Sequence, residues 1–146
     1  MKIEIKNQQK IKKLNLKILK AYIKKILKII GISSKNISFL FCDNKFIRKI
    51  NKKFFKKNYP TDVISFPLQD KLDPNYLGEV IVSVEQAIYA SKKYKNSWEE
   101  EFLLYIVHGI LHLLGFRDHT LKEQKNMEVE QNRIMKLLAK NQLKFR

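Results

Sequence analysis

The feature that most constrains this chain is an apolar run that contains His108 and His112. The run predicts a helix, and a spacing of four residues puts both imidazoles on one helix face, where they can bind one metal ion. Gly115 is expected to end the helix, so that the chain folds back and brings His119 or Asp118 to the same ion. Three protein ligands leave one position open for water, which is typical of a catalytic zinc site.

A structural role for these histidines is the alternative, because a histidine on an apolar helix is most often a core residue with a hydrogen-bonded ring. All three histidines of the chain lie between residues 108 and 119, which favours a metal site. The residue after His108 is Gly109, whereas zinc peptidases with an H-E-x-x-H motif have a glutamate general base there. Peptide hydrolysis is therefore disfavoured. We expect the glycine to make room for another backbone or a bulky substrate.

Length and composition indicate one globular domain. The chain has 146 residues, of which 45% are hydrophobic, and this is enough for a core of ordinary size. The single cysteine, Cys42, ends an apolar run and is expected to be a buried thiol in a reducing compartment. No apolar run approaches the length of a membrane span. We therefore expect a soluble, cytoplasmic protein that does not bind a membrane.

The positive charge is concentrated in the first part of the chain. Residues 1–57 contain eighteen Lys or Arg and two acidic residues, whereas residues 58–146 contain twelve of each sign. This asymmetry predicts a polyanionic partner, most commonly a nucleic acid. An AT-rich coding sequence would explain why lysine outnumbers arginine, and a basic amphipathic helix can also lie on an anionic membrane. Base composition does not explain why the second part is neutral.

Hydrophobic periodicity predicts an α+β domain with a small mixed sheet of about four strands and about five helices. The strands are expected at residues 2–6, 37–42, 61–66 and 77–84, with a loop at 69–76. The helices are expected at residues 14–30, from 43 or 44 to 54, at 83–93, from 96 or 97 through the histidines, and from 120 to 138. Gly31 is expected to end the first helix, and Thr120 with Glu123 predicts a capping box at the start of the last one.

Three blocks resemble the YbeY family, which comprises bacterial rRNA maturation factors and single-strand endoribonucleases. Residues 108–119, H-G-I-L-H-L-L-G-F-R-D-H, resemble its signature H-G-x-L-H-L-x-G-[YF]-D-H. Residues 50–67, I-N-K-K-F-F-K-K-N-Y-P-T-D-V-I-S-F-P, are similar to its L-N-x-x-[YF]-R-x-x-D-x-P-T-D-V-L-S-F-P block. Residues 77–84 are similar to its L-G-D-I-x-I-S block. The blocks occur in family order, and the family length matches almost the whole chain.

The resemblance implies one YbeY-like metal-dependent endoribonuclease domain over residues 1–146, with one zinc ion per chain. It implies hydrolysis of single-stranded RNA in 16S rRNA maturation and ribosome quality control, with the small ribosomal subunit as a partner. His108 and His112 match the first two ligands. The family's third histidine comes ten residues after the first, where this chain has Asp118, and Arg117 looks like a one-residue insertion. Because imidazole is the commoner zinc ligand, His119 is the predicted third ligand, with Asp118 in reserve.

One departure from the family pattern affects the predicted catalytic residues. Phe55 stands where the family usually has an arginine, a side chain expected to contact a phosphate or to stabilise transition-state charge. Arg48, Lys56, Lys57 and Arg117 are possible substitutes for it. Arg117 lies beside the proposed metal site and is the predicted catalytic side chain.

The RNA backbone is predicted to contact a set of basic side chains, together with the lysine-rich first helix. The set is Arg48, Lys52, Lys53, Lys56 and Lys57. A solvated face is the alternative for the lysines of the first helix. Phe54 is expected to lie in the core. Asp62 and Glu79 are candidate general bases, with capping and a surface position as their structural alternatives.

Two other functions remain open from the sequence. The first is a non-catalytic ribosome-assembly factor with a structural zinc site, and the second is a metal-dependent hydrolase of another substrate. The metal is also open, because three nitrogen or oxygen ligands suit several divalent ions besides zinc.

Overall fold

The computed structural model describes residues 2–68, 73–139 and 145. Within them it has the predicted four strands and five helices. The strands are β1 (Ile3–Asn7), β2 (Asn36–Cys42), β3 (Val63–Pro67) and β4 (Tyr76–Ser83). The helices are α1 (Leu16–Ile30), α2 (Asn44–Phe55), α3 (Val84–Tyr94), α4 (Trp98–Leu113) and α5 (Leu121–Leu138). Residues 69–72 of the predicted loop lie outside the described residues, and Tyr76 already belongs to β4. Among the described helices, none combines the length and apolarity that a membrane span needs.

The helix ends follow local sequence signals. Asp43 and Ser97 are the N-caps of α2 and α4, and each side chain accepts a hydrogen bond from the backbone N–H three residues further on. Thr120 and Glu123 form the predicted capping box of α5. Gly31 ends α1 with a φ of 90°, in the left-handed region that favours glycine. Each of these signals depends on residues close in the chain, which is why the sequence alone indicated them.

The four strands form one mixed sheet in the order β1-β2-β4-β3. β1 pairs with β2 and β2 pairs with β4 in parallel, whereas β3 runs antiparallel to β4. Parallel neighbours require a crossover, and α1 supplies the one between β1 and β2. β3 is the terminal strand on its side of the sheet.

The two faces of the sheet are covered unequally. Val80 and Val82 of β4 point into the main core, where the sheet packs against α1, α3 and α4, and α5 packs on α1 and α4. Ile81 points to the other face and packs against α2, in a smaller cluster that includes Cys42 and Ile47. Burial raises the pKa of the Cys42 thiol to about 12, which agrees with the predicted buried thiol. The histidine helix and the lysine-rich α2 therefore lie on opposite faces of the sheet.

Phe54 is not a core residue, contrary to the prediction. Its side chain is 54% exposed at the last turn of α2. Ile47 of the same helix is fully buried against the sheet, but Phe54 lies at the last turn, beyond this buried contact. Its ring contacts Phe66, at the edge of the smaller cluster, at a centroid distance of 5.1 Å.

Gly109 allows α4 to approach the sheet closely. A Cβ atom at this position would lie 2.4 Å from Cγ1 of Val80 and 3.0 Å from Cγ2 of Val63. The Ser65 hydroxyl donates a hydrogen bond of 2.8 Å to the Gly109 carbonyl oxygen, which joins α4 to β3 directly. The space that the sequence predicted beside Gly109 is therefore filled by strands β3 and β4.

Gly109→Ala is expected to lower the free energy of unfolding by about 1–3 kcal/mol, because the added methyl group forces α4 away from the strands. Helix propensity alone predicts a gain of about 1 kcal/mol. Urea unfolding followed by circular dichroism shows whether the free energy of unfolding falls or rises. Adding Val80→Ala removes the nearest methyl groups, so the double variant should lose less stability than the two single changes together. A Gly109→Ala protein as stable as the wild type would contradict the close packing.

Candidate metal centre

α4 presents His108 and His112 side by side at the rim of the sheet. Gly109 faces the strands, and Ile106 and Ile110 face the main core, so the histidine side of the helix points away from the core. The two side chains are only 23% and 28% exposed. They are therefore held by the fold and still accessible to a ligand.

Each imidazole is oriented by an oxygen atom that contacts its Nδ1. The Nδ1 atom of His112 lies 2.9 Å from the backbone carbonyl oxygen of Phe116, and Nδ1 of His108 contacts Oε1 of Gln131 on α5. A carbonyl oxygen can only accept, so Nδ1 of His112 carries the hydrogen and its Nε2 carries the lone pair. The Gln131 oxygen imposes the same tautomer on His108. Histidines that bind metals through Nε2 are commonly oriented by such contacts.

The turn after α4 brings Asp118 to the two histidines. α4 ends at Leu113, and Gly115 adopts a φ of 96°, which redirects the chain. Oδ2 of Asp118 lies 3.6 Å from Nε2 of His108 and 3.4 Å from Nε2 of His112. The Gln124 side chain donates a 3.0 Å hydrogen bond to the Asp118 carbonyl oxygen, so α5 anchors this turn.

The three converging atoms fit a divalent cation. The two Nε2 atoms are 2.9 Å apart, and with Oδ2 of Asp118 they form a triangle of electron-pair donors. With both Nδ1 atoms donating, two Nε2 lone pairs and a carboxylate face one another, an arrangement that a bound divalent cation would stabilise. The point equidistant from the three atoms lies about 1.9 Å from each, close to the zinc–nitrogen and zinc–oxygen distances of about 2.0–2.2 Å.

Among the described residues, the group that is positioned to hold a metal ion consists of His108, His112 and Asp118. Asp118, which the sequence analysis kept in reserve as the third ligand, therefore lies with His108 and His112. His119, the preferred third ligand, does not belong to this group. Asp118 is the residue ten positions after His108, which is the family spacing of the third ligand. Arg117 and His119, on either side of it, are exposed on the turn.

The predicted RNA-contacting side chains are exposed but lie across the sheet from this centre. Arg48, Lys52 and Lys53 are on α2, and Lys56 and Lys57 follow its last turn. α2 packs on Ile64 and Ile81, which face away from α4. Phe55 also belongs to this side, so the position that holds arginine in the family is occupied by an aromatic side chain stacked on Phe66.

The two candidate general bases differ in position. Glu79 precedes Val80, which contacts α4, so Glu79 points to the opposite face of the sheet and away from the histidines. Oδ1 of Asp62 accepts hydrogen bonds from the Val63 backbone N–H at 2.8 Å and from the Thr61 hydroxyl at 3.2 Å. These contacts agree with the capping role that the sequence offered as the alternative for Asp62.

Sequence reasoning missed two side chains near the histidines. Gln131 orients His108 although 23 residues separate them, and nothing in the local sequence marks it. Tyr105 lies three residues before His108 and therefore on the same helix face. Burial, together with Asp62 and Glu101, raises the pKa of Tyr105, so its hydroxyl stays protonated at neutral pH. The i, i+3 spacing was the signal that could have identified Tyr105.

The fold and the three-residue group define a class of protein: a small α+β domain with two histidines and one carboxylate positioned to hold a metal ion. The family model described as Endoribonuclease YbeY matches residues 3–139. The chain belongs to the YbeY family.

Individual relatives agree with this assignment. Endoribonuclease YbeY of Acholeplasma laidlawii is 42% identical over 69% of this chain and 73% of that protein. Endoribonuclease YbeY of Syntrophus aciditrophicus is 36% identical over 80% of this chain and 75% of that protein. The solution structure of TM1509 from Thermotoga maritima has a TM-score of 0.67 and 26% identity, covering 92% of this chain and 87% of that one.

Asp118→Ala is expected to reduce bound metal from about one ion per chain to a small fraction, because two imidazoles alone form a weak site. His119→Ala is expected to keep the wild-type metal content. Both proteins are purified without chelators, and their metal is measured by mass spectrometry after dialysis. The opposite result, in which His119→Ala loses the metal and Asp118→Ala retains it, would contradict the geometry of this centre.

Proposed function

We propose that the chain is a zinc-dependent, single-strand-specific endoribonuclease that acts in 16S rRNA maturation and ribosome quality control. One observation carries the proposal: His108, His112 and Asp118 converge at a partly exposed site in a chain of the YbeY endoribonuclease family. Their three donor atoms support a site with one position open towards solvent, which suits a catalytic rather than a structural ion.

The residues of this chain would prepare that site for hydrolysis. Phe116 and Gln131 hold the two imidazoles so that both Nε2 atoms point to one place. A bound zinc ion would supply a Lewis acid and lower the pKa of water towards neutrality. The partial exposure of His108 and His112 leaves room for a phosphodiester to approach.

Arg117 is proposed to contact a phosphate of the substrate. It is exposed and next to Asp118 in sequence. A guanidinium beside a phosphate supplies charge-assisted hydrogen bonds that strengthen as negative charge develops. This role would replace the contact expected from the arginine that the family usually has in place of Phe55.

The same proposal covers the domain, the compartment and the RNA partner of the protein. Residues 1–146 would act as one domain, in the cytoplasm, on rRNA associated with the small ribosomal subunit. The cationic side chains on α2 and after it, from Arg48 to Lys57, would hold the RNA backbone. Their exposure and their distance from acidic groups in sequence support this role.

The purified, metal-loaded protein is expected to cleave a single-stranded oligoribonucleotide and to leave the same sequence intact in a duplex. His112→Ala is expected to lose both the bound metal and the cleavage, because it removes one of two nitrogen ligands. Gel electrophoresis of labelled RNA measures cleavage. Stripping the wild-type protein with a chelator should abolish cleavage, and added zinc should restore it.

Two outcomes would contradict the nuclease proposal. A wild-type protein that carries metal and cleaves no single-stranded RNA would favour a non-catalytic assembly factor with a structural zinc site. Cleavage that persists in His112→Ala would mean that the metal centre is not the active site, or that the preparation contains another nuclease.

Lys52→Ala combined with Lys57→Ala is expected to weaken RNA binding and to make it less sensitive to salt. Each phosphate contact with single-stranded RNA contributes about 0.7 to the slope of log affinity against log salt concentration, so the slope should fall by up to about 1.4. Lys122→Ala with Lys125→Ala, on exposed positions of α5, is the matched control and should leave the slope unchanged. Equal effects of the two pairs would contradict a specific RNA surface near α2.

A further inference from the structure

Three phenylalanine rings form a cluster at the end of α2, which we call the aromatic platform: Phe54, Phe55 and Phe66. The ring of Phe55 stacks on Phe66 with an interplanar angle of 15° and a centroid distance of 6.1 Å. The ring of Phe54 meets Phe66 edge-on at 5.1 Å. Phe54 is 54% exposed and Phe55 is 47% exposed. The half-buried ring of Phe66 thus positions the rings of Phe54 and Phe55, which still expose surface to solvent.

Burial in the core does not account for this platform. Ile47 and Ile64 are buried in the cluster between α2 and the sheet, whereas Phe54 and Phe55 extend past it. Adjacent residues of a helix point about 100° apart, yet both rings reach the same partner. Exposed apolar surface of this kind usually marks a site of interaction.

The charge around the platform indicates what binds there. Residues 44–61 contain seven Lys or Arg and no Asp or Glu. Lys52, Lys53, Lys56 and Lys57 flank the rings in sequence and are exposed, and Nζ of Lys53 lies 5.3 Å from the centroid of Phe54. An apolar protein partner would have to bury these ammonium groups, whereas a single nucleic acid strand brings phosphates to them and flat bases to the rings.

The platform lies at the same end of β3 as the metal centre. Pro67, which follows Phe66, pairs with Gly78. A side-chain atom of Leu113, which follows His112, lies 3.1 Å from the Cβ position of Gly78. The platform and the histidines therefore flank the same end of the edge strand from opposite faces. A single strand that passes this end of β3 from one face to the other would meet both.

We propose that the aromatic platform stacks one unpaired base of the RNA strand whose neighbouring phosphodiester reaches the metal centre. The proposal rests on the proposed function, because it takes single-stranded RNA as the substrate. It assigns Phe54 and Phe55 to base stacking and the adjacent lysines to the flanking phosphates. A base held inside a duplex has no free face for the rings, so the platform favours unpaired RNA.

The test measures RNA binding without cleavage, in a His112→Ala background. A labelled twelve-nucleotide single strand is titrated by fluorescence anisotropy against the parent protein and against the same protein with Phe54→Ala and Phe55→Ala. Stacking on aromatic side chains predicts a loss of affinity of roughly 5- to 100-fold. The slope of log affinity against log salt concentration should stay unchanged, because no cation is removed. Tyrosine at both positions should restore most of the affinity.

An abasic scan provides the decisive comparison. Twelve oligonucleotides that each lack one base are measured with both proteins. With the parent protein, one or two positions should show a loss comparable to that of the double alanine change. Those positions should show no further loss when the rings are absent, because the same contact has already been removed. Val129→Ala, which truncates an apolar side chain that is 60% exposed on α5, is the control and should change nothing.

The outcomes separate this proposal from the proposed function. Unchanged affinity in the double alanine variant, with a wild-type melting temperature, would overturn the platform and favour a protein partner on these rings. A uniform loss at every abasic position would also overturn it, because base stacking acts at a defined position. RNA binding through the platform by a wild-type protein that cleaves nothing would leave the platform standing and overturn the nuclease.

Discussion

The close approach of α4 to strands β3 and β4 at Gly109 is the contact on which the site depends. With no side chain at this position, Val63 and Val80 lie directly under the helix, and Ser65 donates a hydrogen bond to its backbone. These contacts fix the distance of the helix from the sheet and its rotation about its own axis. That rotation turns His108 towards the rim rather than into the core. A larger residue would shift the helix, and the shift would move both ligands on it.

The second constraint is electrostatic. Two imidazole lone pairs and one carboxylate are brought together by contacts that no single element provides: a backbone carbonyl after α4, a glutamine of α5 and the turn that carries Asp118. In the neutral, metal-free form the two Nε2 lone pairs and the carboxylate repel one another. A bound divalent ion converts the repulsion into ligation. Metal binding should therefore also stabilise the fold, as binding to the native state always does.

The edge strand β3 contacts the elements on both faces of the sheet. One face of the strand touches α4, and the other carries Phe66 and the smaller cluster beneath α2. The positive charge that the sequence concentrates in its first part is also separated in space from the histidines, because α2 with its exposed lysines lies on the other face of the sheet. In the proposed function, an RNA strand held at α2 would reach the metal centre by passing β3.

The sequence by itself determined what depends on neighbours in the chain. The four strands, the five helices, the Gly31 end of α1 and the capping box of α5 were correctly predicted, because periodicity and capping are local, and the i, i+4 spacing alone aligned His108 with His112. The family blocks are contiguous in the sequence and could be recognised equally well. Only the tertiary structure decided which side chains meet across elements. It grouped Asp118 rather than His119 with the histidines, because the dihedral angles of one turn determine which neighbour points inward, and it left Phe54 exposed, because periodicity does not show where the sheet beneath a helix ends.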